Sequence, residues 1–154
     1  MSTMLAESAT AHCGRFLEAL QARRVGPELA AAIGSRTDVC HVLDAKYEPG
    51  VSAVVLYELG DRLVRGDLLP VDAIDEPDVI EPGLRISAFP QDPDLPTLPE
   101  LMDPPVVGPL LGKPARSRID LLRYRPGKRA TVKVSFDRDD FLVAKGYHKR
   151  EKGA

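Results

Sequence analysis

Along the first forty residues, apolar positions recur at helical spacing: Leu5, Ala9, Phe16, Leu17 and Leu20 fall near a 3.6-residue period, with charged residues between them. Pro27 suits the first turn of a second short helix, "PELAAAIG", and the glycine that closes this stretch is a stop signal. From Cys40 the texture changes. In "HVLDAKYEPGVSAVVLYELGDRLVRGDLL", β-branched and apolar residues alternate with polar ones on either side of Pro49-Gly50 and Gly60-Asp61, which predicts a three-stranded meander. Residues 70 to 116 hold eleven of the fourteen prolines, so long strands or helices are disfavoured there, although "LRISAF" can be a strand and "LPELMD" one or two helical turns. Leu95, Leu98, Leu101 and Met102 argue that part of this connector packs against something. From Ile119 the alternation returns, with turns at Pro126-Gly127 and at Asp137 to Asp140.

The two strand-rich regions align with one another. A slide of 77 residues matches Val42 with Ile119, Lys46 with Arg123, Tyr47 with Tyr124, Pro49 with Pro126, Gly50 with Gly127, Ala53 with Ala130 and Val55 with Val132. An internal repeat follows as a working expectation, against the ordinary alternative of two unrelated Tyr-x-Pro-Gly corners. The chain therefore divides into a helical segment (1–39), a first meander (40–69), a proline-rich packed connector (70–117) and a second meander (118–154). The fold class is α+β, with antiparallel sheets preceded by two short helices.

Composition changes this picture in one respect. The net charge of -2 gives no reason to expect nucleic acid or an anionic membrane, but it conceals a dipole: residues 58 to 103 hold twelve acids and three bases, residues 113 to 152 thirteen bases and five acids. The longest apolar runs fall far short of the roughly 20 residues a membrane span requires. With no signal-like N-terminus and only two cysteines, Cys13 and Cys40, the expectation is a soluble cytoplasmic protein with free thiols and no membrane partner.

The candidate chemistry sits in "LRYRPGKRATVKV", where Arg123, Arg125, Lys128 and Arg129 surround a Pro-Gly corner. Such a corner lets backbone amides approach a ligand closely, and guanidinium and ammonium groups beside it suit phosphate oxygens. A solvated hairpin that balances the acidic stretch would show the same composition. Lys145 adds weight to the phosphate reading, because "FLVAKGYH" places it on the next strand on the same side as Phe141 and Val143, where an inward lysine would need a charged partner. Against this, an edge-strand lysine can reach water along its own stem.

Other constellations are weaker. His12-Cys13 and Cys40-His41 are adjacent pairs, poorly spaced for tetrahedral zinc, and no metal site is expected. The acids Asp67, Asp72, Asp75, Glu76, Asp78 and Glu81 lack the glycine-centred spacing of a calcium loop and read as a solvated loop. Asp92 and Asp94 are expected to cap the short helix after them.

Taken together, "LLRYRPGKRATVKV", "FLVAKGYH" and the upstream "FPQDPDLPTLPELMDP" resemble the N-terminal part of bacterial aminoglycoside phosphotransferase-like and maltokinase-like kinases, over residues 40 to 148. The resemblance implies a kinase-like N-lobe preceded by a cap-like copy, with ATP as cofactor. Lys145 would be the ATP-phosphate lysine, and Arg125, Gly127, Lys128 and Arg129 the phosphate-covering turn. It further implies a phosphotransferase acting on an alcohol or sugar, with Mg expected only with a C-lobe. The chain holds no asparagine, so a His-x-Asp-x-x-x-x-Asn loop is not among its residues, and no catalytic residue is assigned. Its last residues follow soon after Lys145, so the expectation is a truncated, catalytically silent portion or one half of a split kinase whose C-lobe is a separate polypeptide. The competing reading is a non-enzymatic α+β module whose basic hairpin binds an acidic protein surface or polyanion. Aromatic content of 5% disfavours stacking on nucleic acid.

Overall fold

The computed structural model describes residues 7–73, 78–112, 117–136 and 140–148. The turn expected at Asp137 to Asp140 lies largely outside these residues, as do Leu5, Asp75 and Glu76. The chain is α+β, with two antiparallel sheets of five and three strands, and it divides into two compact units, Met1–Ala88 and Phe89–Ala154.

In the first unit, α1 spans Ala9–Ala19 and α2 spans Ala22–Ile33. The Ser8 hydroxyl accepts from the Ala11 amide at 3.1 Å, which satisfies one of the unpaired N–H groups of the first turn of α1. Helix α2 begins five residues before the expected Pro27, which sits inside it. Its apolar face extends back to Val25, and burial of Val25 and Leu29 outweighs the bond that proline cannot make. Gly34 ends α2 at φ 70°, the left-handed conformation that glycine adopts without a Cβ penalty.

Strands β1 (Cys40–Glu48), β2 (Ser52–Leu59) and β3 (Arg62–Leu68) form the first meander as the alternation predicts. The proline-rich stretch then supplies β4 (Val79–Ile80) and β5 (Leu84–Ala88), and the sheet runs β1-β2-β3-β5-β4. Part of the expected connector is therefore sheet, and it belongs to the first unit. Ala19, Val25 and Leu29 pack on Ala53, Val55, Tyr57, Leu59, Val64, Leu68 and Leu84, a core in which each fully buried aliphatic contributes about 1.5–3 kcal/mol. The Tyr57 hydroxyl donates to the Ala19 carbonyl, and burial pushes its pKa well above the ordinary tyrosine value. Arg15 donates to the carbonyls of Pro82 and Leu69 at 3.1 and 2.8 Å and pairs with Glu7, whose carboxyl it holds below the usual range.

In the second unit, α3 (Leu98–Leu101) and α4 (Pro104–Leu110) precede β6 (Arg118–Arg125), β7 (Arg129–Ser135) and β8 (Phe141–Tyr147), paired in the order β6-β7-β8. Val132 and Val134 are fully buried and pack with Val107, Leu101, Met102, Ile119, Leu121, Leu142 and Ala144. This confirms that Leu101 and Met102 of the proline-rich stretch serve a core.

Candidate functional site

The slide of 77 residues holds in three dimensions around the first hairpin of each unit. Tyr47 pairs with Ala53 and Glu48 with Ser52, as Tyr124 pairs with Ala130 and Arg125 with Arg129. In each unit the tyrosine before the turn faces inward. Tyr47 stacks on Phe16 with ring centroids 4.5 Å apart, and Tyr124 meets the Phe89 ring edge-on at 5.0 Å.

The turn itself is held by a residue that sequence reasoning assigned elsewhere. Asp92 does not cap the helix that follows, since α3 starts at Leu98 with Thr97 as its N-cap. It is buried, and its Oδ2 accepts from the Tyr124 hydroxyl at 2.6 Å and from the Gly127 amide at 2.9 Å. Its Oδ1 accepts from the Asp94 amide at 2.9 Å. The Lys128 amide donates to the Arg125 carbonyl, also at 2.9 Å. A carboxylate of the same unit thus already occupies the position where the Gly127 amide would meet a phosphate, and neither turn amide is available as a free donor. Gly127 is required for another reason: φ is 73° there. The signal for Asp92 was its place in "QDPD" ahead of a tyrosine-glycine hairpin, but nothing local in the sequence links positions 92 and 127.

Cationic side chains remain. Alternation puts Ala130, Val132 and Val134 inside, and the ladder places Arg129, Thr131, Lys133 and Ser135 on the opposite, outer face of β7. Cross-strand partners then form rows. Arg125, Arg129 and Tyr147 make the row nearest the turn, and Arg123, Thr131 and Lys145 the next. Beyond them lie Asp120, Lys133 and Val143, then Arg118, Ser135 and Phe141. Lys145 does share a face with Phe141 and Val143, but this face is the exposed one, with Phe141 at 52% and Val143 at 49% exposure. Lys145 therefore differs from the inward lysine that its apolar neighbours suggested, because those neighbours are themselves outward.

Two cations on this face are already engaged: Arg118 donates to Asp120 at 3.0 Å, and the Lys133 ammonium lies 4.4 Å from the Phe141 ring centroid. Arg123, Arg125, Arg129 and Lys145 have no ion-pair partner among the described residues. Arg125 and Arg129 stand directly opposite each other, an arrangement of like charges that costs stability unless an anion lies between them. Thr131 and Tyr147 add hydroxyl donors in the same two rows. The sequence points to Lys145, Arg123, Arg125, Gly127, Lys128 and Arg129; the ladder adds Thr131 and Tyr147, and the bond to Asp92 engages the Gly127 amide. For a nucleoside triphosphate, the donor set fits as side-chain cations and not as a backbone cradle.

The corresponding face of the first unit is different. Opposite Val54, where Lys145 stands opposite Thr131, the ladder puts Asp67. Asp67 pairs with Arg65 at 2.9 Å, and Lys46 pairs with Glu48 at 3.3 Å.

A cleft of about 220 Å³ in the first unit is lined by Glu18, Arg24, Val25, Glu28, Glu81 and Pro82, none of them a predicted site residue. Among the described residues, no group of three or more His, Cys, Asp or Glu side chains is arranged to hold a metal ion, and no helix is long and apolar enough to cross a membrane. Compared with protein families, curated proteins and solved structures, the chain matches none of them.

Proposed function

We propose that this chain is the ATP-binding, N-lobe-like part of a small-molecule phosphotransferase with an alcohol or sugar acceptor, and that the nucleotide lies across the outer face of β6-β7-β8. The observation that carries this reading is four cations without ion-pair partners among the described residues, Arg123, Arg125, Arg129 and Lys145, in two adjoining rows bounded on β8 by exposed Val143 and Phe141. Phosphates would sit among the cations, and the base on the apolar end. At a rise of about 3.4 Å per residue, Phe141 and Lys145 are some 14 Å apart along the strand, a span on the scale of a nucleotide. The 154 residues contain no asparagine, so the His-x-Asp-x-x-x-x-Asn loop of kinase-type phosphoryl transfer is not among them.

Calorimetric titration with ATP at low salt tests the reading. Binding should weaken at least about tenfold in Lys145→Ala, equivalent to about 1.4 kcal/mol. Equal affinity for both proteins would remove Lys145 from the site.

The exposure of this sheet face favours a second reading, a non-enzymatic module that docks an acidic protein surface or polyanion. Inorganic tripolyphosphate separates the two. A nucleotide site prefers ATP because of the base, whereas a polyanion surface binds both alike and releases both steeply as salt rises.

A further inference from the structure

The outer edge of β8 is open among the described residues: β8 pairs with β7 and with no other strand. Its counterpart β3 is closed on that side by β5, with Val64 opposite Ala88 and Leu68 opposite Leu84. The direction of β8's hydrogen-bonding groups follows from the ladder ends. The His148 amide donates to the Lys128 carbonyl at 2.8 Å, and the Phe136 amide donates to the Asp140 carbonyl at 2.9 Å. Even-numbered residues of β8 therefore bond toward β7, and Phe141, Val143, Lys145 and Tyr147 direct their N–H and C=O groups to the open edge.

We propose that β8 is a dimerisation strand, which pairs antiparallel with β8 of a second copy of this chain about a two-fold axis at Ala144. The sequence of the strand is complementary to itself in this register. Phe141 lies opposite Tyr147, Val143 opposite Lys145, Leu142 opposite Gly146, and Ala144 opposite its own copy. Aromatic side chains meet across the strands, and no two lysines stand directly opposite. The edge-directed residues form the hydrogen-bonded pairs. Ala144 falls on the non-hydrogen-bonded pair at the axis, where the backbones come closest and a small side chain fits. The two three-stranded sheets become one of six strands, and the exposed edge is covered. A contact built on a seven-residue strand is small beside the roughly 1,200 Å² of a stable interface, so the dimer forms as protein concentration rises. This inference is independent of nucleotide binding.

Sedimentation velocity of the full chain without nucleotide, over a wide concentration range, tests it. The unsubstituted protein should shift from monomer toward dimer as concentration rises. Val143→Lys, at an exposed position, sets two lysines opposite each other in each half of the interface and should remain monomeric. Adding Lys145→Glu to Val143→Lys restores opposite charges and should restore the dimer. A protein that stays monomeric at its highest soluble concentration, a Val143→Lys variant that dimerises as before, or a double variant that is folded but monomeric would each overturn the proposal.

Discussion

The two meanders share a hairpin register but carry opposite charge at two equivalent positions, Glu48 against Arg125 and Asp67 against Lys145. Where the first unit has Glu48 opposite Ser52, the second has Arg125 opposite Arg129; where the first has Lys46, Val54 and Asp67 in one row, the second has Arg123, Thr131 and Lys145. In the first unit, ion pairs engage the charges of this row: Lys46 with Glu48, and Asp67 with Arg65. In the second, Arg123, Arg125, Arg129 and Lys145 have no ion-pair partner among the described residues. Hairpin geometry comes from the Tyr-x-Pro-Gly corner and the inward alternation, which the units share. The charge difference lies on the outward positions, where packing leaves the residue choice free.

The largest expected effect comes from forcing the second pattern onto the first. Asp67→Lys, which copies Lys145, leaves the mostly buried Arg65 facing a like charge and should cost about 3 kcal/mol, read as a lowered urea midpoint. Next is the anchor particular to the second unit. Asp92→Ala removes the acceptor of the Tyr124 hydroxyl and the Gly127 amide and should cost about 2 kcal/mol, with hydrogen-exchange protection lost first in β6 and β7.

Tyr57→Phe should cost about 1 kcal/mol by removing the bond to Ala19, and it should also change the alkaline pH dependence. Because burial raises the folded pKa of Tyr57 above the ordinary tyrosine value, unfolding at higher pH is favoured by ionisation of the unfolded tyrosine. Its stabilising contribution is complete below pH 10 and declines above it, so urea midpoints of the unsubstituted protein should fall more steeply there than those of Tyr57→Phe. The smallest effect on stability belongs to the residue with the largest predicted effect on binding. Lys145→Ala, on the exposed face, should change unfolding free energy by no more than about 0.5 kcal/mol while it weakens ATP binding.

Much of the architecture was legible from periodicity. The alternation around Pro49-Gly50 and Pro126-Gly127 gave both meanders, and the match of Tyr47 to Tyr124 gave their common register. The start of α2 was misread because Pro27 looks like a first-turn residue, whereas packing of Val25 draws the helix back to Ala22. Strand β5 was legible in "LRISAF", but its place beside β3 was not, since pairing between separated strands leaves no local pattern. The same limit applied to the site. Arg125, Lys128, Arg129 and Lys145 were readable as charges near a turn, while the facing of Lys145 depended on which side of the sheet the core took. The commitment of the Gly127 amide to Asp92 joins residues 35 apart, and only the folded chain reveals it.

The central claim is that the outer face of the second meander, not its turn backbone and not the first unit, receives the nucleotide. Amide chemical shifts of the labelled full chain during an ATP titration test it most directly. Saturable shifts should concentrate at Arg123, Thr131, Val143 and Lys145, leave β1 to β3 unmoved, and require at least about tenfold more ATP in Lys145→Ala. Shifts that gather in the first unit, or that persist unchanged in Lys145→Ala, would contradict it.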